Sequence, residues 1–424
     1  MTTIMEDARK GVTPLIKAAA EKEGVDPEFL RRGVAAGRIV IPHNPVHGPT
    51  PAAIGEGLPI KVNVNIGTSR DMPEMENELA KLEIALKYGA DAVMDLSTGG
   101  DIDAIRREIL ARCPVMVGTV PIYQTGLVAA RRDAVVDMTE DDIFNGIERH
   151  ARDGVDFMTV HCGITRETVG WLESSDRVMD VVSRGGSFLT AWILHNDEEN
   201  PLYANFDYLL DLAREHEFTL SLGDGFRPGC LDDATDPAQV SELMTLGRLV
   251  RRCRDAGVQA MVEGPGHVPM ADVAMNVGLQ KAMCQDAPFY VLGPLVTDIA
   301  PGYDHLVGAI GGAIAAGAGA DFLCYLTPAE HLSLPDLDDV KEGLIASKIA
   351  AHVGNRTRGF GAERDTAMSK ARKALDWEGM FENCIDPDKA RKYRARGCTK
   401  PDKGCSMCGD VCAIKIVDRH LREK

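Results

Sequence analysis

The sequence predicts an α/β protein: a TIM-type (β/α)8 barrel, with a small N-terminal segment before it and a helical, cysteine-bearing tail after it. Three observations predict this. From Lys61 to about Thr327, short β-branched runs ending in polar or glycine residues alternate with longer amphipathic segments, the rhythm of repeated βα units. No Gly-x-Gly-x-x-Gly follows the first of these runs, which argues against an open dinucleotide-binding sheet. The chain of 424 residues has room for a barrel of about 250 residues with flanks on both sides.

Residues 1–58 form the N-terminal segment, with a helical stretch from Pro14 to Ala36 and a Pro/Gly-rich connector from Pro42 to Pro51. The barrel is placed at residues 59–334. Its strand candidates are Lys61–Ile66, Ala92–Leu96, Val115–Val120, Asp156–Val160, Met179–Val182, Thr219–Leu222, Val258–Val262, Phe289–Leu292 and Phe322–Leu326, nine for an eight-stranded ring. Helical patterns lie between them at Pro73–Tyr88, Asp141–Arg152, Asp207–His216 and Ala238–Ala256. Residues 335–424 read as an acidic, then mixed-charge helical region that ends in a basic stretch and a cysteine cluster.

Lys and Arg number 47 against 64 Asp and Glu, a formal net charge of −17. Such a surface repels phosphate backbones and anionic lipid heads, so neither a nucleic-acid partner nor a membrane is expected. No uncharged apolar run reaches the roughly 18 residues of a membrane helix, and Met1 to Lys10 lacks the basic-then-apolar layout of a signal peptide, so a cytoplasmic location is expected. Of the 11 cysteines, eight are dispersed, several in apolar runs, as reduced thiols acting as small hydrophobes would be. Cys405, Cys408 and Cys412 are not dispersed, and call for a ligand reading.

On a barrel, the C-terminal strand ends share one face, where active sites are built. Here they are polar and glycine-rich throughout, which predicts one continuous pocket. Cys405-Ser-Met-Cys408-Gly-Asp-Val-Cys412 can bring thiolates onto one [4Fe–4S] cluster with one iron left open; a zinc knuckle completed by Cys398 or His420, or a redox dithiol, fits the same spacing. His267 and His331 each follow a strand and can bind a divalent metal, or make ordinary helix-start hydrogen bonds. Ser183-Arg184-Gly185-Gly186 and Asp224-Gly225-Phe226-Arg227 supply two guanidiniums, a hydroxyl and glycine amides for a phosphate, although a lone Arg after a strand is more often a salt-bridge partner. Asn65, Tyr123, His161, Glu263 and Tyr290 add groups for a polar heterocycle or a ribose, and Met94 reads as core from spacing alone.

Ten runs in unbroken order from about residue 55 to 416 carry a resemblance. They include Asn63-Val-Asn-Ile-Gly-Thr-Ser69, Val93-Met-Asp-Leu-Ser-Thr-Gly-Gly-Asp101, Gly118-Thr-Val-Pro-Ile-Tyr-Gln124, Val182-Ser-Arg-Gly-Gly-Ser187, Val262-Glu-Gly-Pro-Gly-His-Val-Pro269, Thr297-Asp-Ile-Ala-Pro-Gly-Tyr-Asp-His305 and Cys405-Ser-Met-Cys408. The chain resembles the phosphomethylpyrimidine synthase family of non-canonical radical S-adenosylmethionine enzymes, which includes a paralogous 5-hydroxybenzimidazole synthase. The resemblance implies a barrel that binds 5-aminoimidazole ribotide, and a homodimer in which the cluster tail of one subunit serves the other. It implies substrate contacts at Asn65, Met94, Tyr123, His161, Ser183, Arg184, Gly185, Asp224, Gly225, Phe226, Arg227, Glu263 and Tyr290. His267 and His331 would hold zinc or another divalent ion, and Cys405, Cys408 and Cys412 the [4Fe–4S] cluster. The implied cofactor is S-adenosylmethionine, and the implied electron donor a flavodoxin or ferredoxin.

The implied reaction makes the hydroxymethylpyrimidine phosphate of thiamine biosynthesis. The alternative is 5-hydroxybenzimidazole for the cobamide lower ligand, and a third reading is a non-catalytic, zinc-containing ribotide-binding protein. Departures from the family pattern are three residues instead of four between Cys408 and Cys412, Phe226 where Leu is usual, Cys162 after His161, and Val353–Gly359 in place of the usual run.

Overall fold

The computed structural model describes residues 2–397, 405–408 and 411–422. A two-stranded antiparallel pair, β1 (Ile39–Val40) and β2 (Ile54–Gly55), precedes a closed parallel barrel. The barrel strands are β3 (Lys61–Ile66), β4 (Ala92–Asp95), β5 (Met116–Thr119), β6 (Phe157–Val160), β7 (Thr219–Leu222), β8 (Ala260–Gly264), β9 (Phe289–Leu292) and β10 (Phe322–Cys324). Each pairs with the next, and β10 closes on β3 in the register Phe322↔Lys61, Leu323↔Val62, Cys324↔Asn63. The strands are covered on both faces, so most of their positions are apolar and nearly all are buried, while polar ones such as Asn63, Thr159 and Ser221 are hydrogen-bonded to other strands of the barrel.

Met179–Val182, the fifth of the nine candidates, is not a strand. Eight strands already satisfy every edge of the ring, so none is left to pair with it. The segment is half out of the core: Met179 and Val182 are exposed, Asp180 is left-handed at φ 45°, and the Asp233 carboxylate accepts from the Val178 and Met179 N–H groups. It delivers the chain to the start of the helix Arg184–Asn196.

The helical stretch expected from Pro14 to Ala36 is two helices, Pro14–Glu23 and Pro27–Ala35. Gly24 ends the first at φ 68°, and the Asp26 carboxylate accepts the Phe29 N–H to start the second, with Pro27 in the first turn. This segment clasps the end of the barrel opposite the predicted pocket. Glu23 pairs with the buried Lys61 at the start of β3, the Asn44 N–H donates to Asp156 beside β6 at 2.8 Å, and the Gln259 side-chain amide beside β8 accepts from the Ile41 N–H and donates to the Ile41 carbonyl. After β10, the helix Leu337–Thr357 packs between the helices Asp304–Ala318 and Met75–Lys87 and completes the outer ring. The chain divides into two compact units, Met1–Arg358 and Gly359–Lys424. The second contains the helices Ala362–Ala374, Trp377–Asn383, Pro387–Gly397 and Ala413–Arg422. Among the described residues, no helix is long and apolar enough to cross a membrane.

One of the ties to the N-terminal segment is set by protonation. Glu217 accepts the Ile4 N–H at 3.1 Å, yet burial pushes its carboxyl up to about 7. The folded chain therefore keeps a proton that the unfolded chain releases near pH 4.5, so this contribution is full below that pH and is lost as pH rises to about 7. Thermal melts at pH 5 and pH 8 should show Glu217→Gln gaining on the wild type by on the order of 1 kcal/mol at the higher pH. A difference independent of pH would refute the assignment.

Candidate active site

At the C-terminal strand ends, a cavity of about 510 Å³ is lined by Asn65, Met94, Tyr123, Thr159, His161, Asp224, Arg227, Glu263, Tyr290 and Cys324, among others. Eight of the thirteen expected substrate contacts meet there. A second cavity of about 1190 Å³ adjoins it, sharing Asn65, Leu96, Tyr123, Arg227 and Leu292 and adding Arg184, Glu330 and His331. Side chains two apart on a strand face the same way, and this period turns residues from successive strands into one lining.

The floor is a chain of polar contacts. Asn63 Nδ2 donates to Tyr290 Oη at 2.8 Å and to Asn65 Oδ1 at 2.7 Å, and Asn65 Nδ2 donates to Cys324 Sγ at 3.1 Å. Tyr290 Oη in turn reaches Met94 Sδ at 3.5 Å, and its ring stacks on Phe322 with centroids 4.3 Å apart. Met94 therefore lines the pocket as well as packing into the core. On the opposite wall, Glu263 Oε1 accepts from Thr159 Oγ1 at 2.6 Å and Ser221 Oγ at 3.0 Å. Burial raises the Glu263 carboxyl, and raises Asp224 well above the carboxylate range despite Arg227, whose Nη1 lies 3.2 Å from Asp224 Oδ1. Asp224 Oδ2 has no protein partner. Burial, and then Arg227, push the His161 imidazole down to about 3, so it is neutral at physiological pH, with Nε2 3.2 Å from Ser183 Oγ and Nδ1 unpartnered. A neutral imidazole, an open carboxyl oxygen and an arginine can recognise a neutral, hydroxyl-rich ligand with one anionic end.

Ser183 caps the helix Arg184–Asn196, and Arg184 lies over the Tyr123 ring at 4.8 Å. A Cβ on Gly185 would stand 2.2 Å from the His161 ring, so only glycine lets this helix start approach the pocket so closely. Gly225 and Phe226 lie outside both cavities. Their N–H groups donate to Glu242 at 2.8 and 2.7 Å, and the Phe226 ring is fully buried, so they shape the turn that carries Asp224 and Arg227.

The His267 and His331 rings stand 5.4 Å apart. His267 Nδ1 is 2.7 Å from Asp298 Oδ1 and His331 Nδ1 is 3.2 Å from Asp304 Oδ1, a carboxylate–imidazole arrangement that can fix a ring for metal binding through Nε2. His331 holds φ 62°, a conformation that costs energy for a residue with a side chain and recurs at functional sites.

Cys405 and Cys408 are exposed on a turn, and Cys412 is buried just before the last helix. The Met407 and Cys408 N–H groups hold the Cys405 thiol below its usual range, with Arg394 adding to the effect, so the thiolate a metal requires is favoured. Among the described residues, no three His, Cys, Asp or Glu side chains already stand together as a metal site. Cys398 and the His420 side chain, which the zinc-knuckle alternative needs, lie outside the described residues. Of the dispersed cysteines, Cys113, Cys253 and Cys284 are buried thiols pushed up to about 12, whereas Cys230 and Cys384 are half-buried.

Sequence reasoning missed Thr159, Ser221, Cys324, Glu242, Asp298 and Asp304. Thr159 and Ser221 sit two residues before His161 and Gly223, so strand parity could have found them. Asp298 and Asp304 lie within the Thr297–His305 run, which carried no role. Glu242, within a helix, gave no signal.

A family model described as the Radical SAM ThiC family matches residues 3–419. The chain belongs to that family. Phosphomethylpyrimidine synthase of Geobacter metallireducens is 57% identical over 100% of this chain and 98% of its own length. The proteins of the same name from a Thermoanaerobacter species and from Methanocaldococcus jannaschii are 59% and 56% identical, covering 99% and 98% of this chain and 98% and 99% of their own lengths. As a radical S-adenosylmethionine enzyme of the ThiC family, the protein works with a [4Fe–4S] cluster and S-adenosylmethionine.

Proposed function

We infer that the protein is a phosphomethylpyrimidine synthase, converting 5-aminoimidazole ribotide into 4-amino-5-hydroxymethyl-2-methylpyrimidine phosphate for thiamine biosynthesis. The observation that carries this is 55–59% identity along almost the whole chain to enzymes of that name. Cys405, Cys408 and Cys412 would hold the cluster, which would supply the electron for reductive cleavage of S-adenosylmethionine. The chain's own residues bind, orient and exclude water. Arg227, and Arg184 at the mouth, would take the phosphate; Asp224, Glu263 and neutral His161 would take ribose hydroxyls and the amino-imidazole; Tyr290 and Met94 would floor the ring. Burial favours the neutral forms of Asp224 and Glu263 and keeps the imidazole neutral, which limits buried charge that the ligand cannot match. The test is to incubate the reduced protein with the ribotide and S-adenosylmethionine and weigh the product. A hydroxymethylpyrimidine phosphate supports the reading; a phosphate-free hydroxybenzimidazole would overturn it in favour of the paralogous reaction.

His267 and His331 would hold a divalent metal, zinc or another. The support is that a separate carboxylate holds Nδ1 of each ring. His331→Ala should release that metal by elemental analysis, leave the cluster coloured, and slow turnover by at least the roughly 10- to 100-fold that losing a residue which merely orients a metal ligand costs. Unchanged metal content and rate would refute the site. The homodimer, with each cluster tail serving the other barrel, and a flavodoxin or ferredoxin as donor, complete the reading. Doubly tagged mixed dimers of Cys408→Ala with Arg227→Ala should regain activity that neither variant has alone, and no recovery would rule out the shared site.

A further inference from the structure

We propose that Arg177 is a positioning residue for the phosphate grip, locking the segment that carries Arg184 to the turn that carries Arg227. The proposal rests on the reading above, in which these two arginines hold the ribotide phosphate. Arg177 lies between the helices Arg166–Glu173 and Arg184–Asn196, and its side chain is only 1% exposed. Four of its five N–H donors are spoken for. Nε and Nη2 fork onto the two oxygens of Asp236 at 2.7 Å each, Nη2 also donates to the Phe226 carbonyl at 2.6 Å, and Nη1 donates to the Asp180 carbonyl at 2.9 Å. Its guanidinium also lies 5.9 Å from the centre of the Phe226 ring.

These contacts converge on one residue from two sides. The Phe226 N–H is held by Glu242 and its C=O by Arg177, so the residue just before Arg227 is clamped at both backbone polar groups. Asp236, which Arg177 forks, also accepts the Gln239 N–H at the start of Pro237–Ala256, the helix that bears Glu242. The other end of the clamp reaches toward Arg184 through Asp180, whose φ of 45° turns the chain before the Ser183 cap. The two segments then touch directly: a Cβ on Gly186 would stand 2.3 Å from the Gly225 carbonyl oxygen. A planar fork pins two loops at once where a single ammonium could not, and it does so without entering the pocket.

The prediction separates positioning from general stability by using the phosphate itself. Full-length, anaerobically reconstituted protein without S-adenosylmethionine is titrated calorimetrically with the ribotide and with its phosphate-free riboside. In Arg177→Gln the ribotide should bind about 10- to 100-fold more weakly, with riboside affinity within about twofold of wild type. Asp236→Asn keeps an N-cap acceptor but loses the charge, so it should show the same selective loss, and the double variant should add little. Arg177→Lys should not restore the lost discrimination. A wild type that binds the two ligands equally would sink the phosphate-grip reading itself. If the wild type discriminates, three results would each overturn the positioning role: variants that discriminate as well, an equal loss for both ligands, or full rescue by lysine. Should Arg177→Gln fail to fold, Asp236→Asn decides.

Discussion

Arg227→Ala is expected to lower kcat/KM for the ribotide by about two to three orders of magnitude while leaving the cluster absorbance unchanged. Arg227 lines both cavities, and it is the cation beside Asp224 and the one that most depresses the buried acid's tendency to stay protonated. Truncation removes a charge-assisted contact to the phosphate and also leaves Asp224 and Glu263 buried without their cation, so both carboxyls shift further toward the protonated form. Arg227→Lys should recover only part of the loss, because an ammonium cannot fork onto a phosphate. Activity of the alanine variant within about threefold of wild type would show that the phosphate is held elsewhere.

Cys408→Ala is expected to abolish S-adenosylmethionine cleavage and bleach the protein. Reconstituted wild type should be brown, with iron and sulfide near four per chain, as one such cluster requires. With three cysteines in the cluster segment, removing one leaves too few thiolates to hold it. A variant that stays coloured and cleaves the cosubstrate would place the cluster on other residues. A wild type that is colourless, loaded with zinc and unable to cleave would instead favour the non-catalytic reading.

The barrel strands were legible because each is buried on both faces and so must be written as a short apolar run ended by glycine or polar residues. Met179–Val182 obeys the same local grammar and is not a strand, because pairing depends on a free edge and the ring had none. The break between Pro14–Glu23 and Pro27–Ala35 was also written locally, in Gly24, Asp26 and Pro27, and was masked by the apolar pattern that runs across it. Within the site, residues at strand ends were legible as lining because strand ends share a face. Gly225 and Phe226 have the right address, yet their amides turn away to Glu242, a residue 16 positions beyond Phe226.

By itself the sequence determined the barrel class and the face on which the polar strand ends meet, because these depend on residue type and short-range spacing, and it offered the two arginines, the two histidines and the terminal cysteines as candidates. Only the tertiary structure decided that His161 is neutral, that Asp224 keeps an open oxygen, that Asp298 and Asp304 orient the histidines, and that Arg177 joins two loops. Each of these depends on desolvation, or on a partner dozens of residues away. Burial and long-range hydrogen bonds arise only when the chain closes on itself, and no local pattern encodes them.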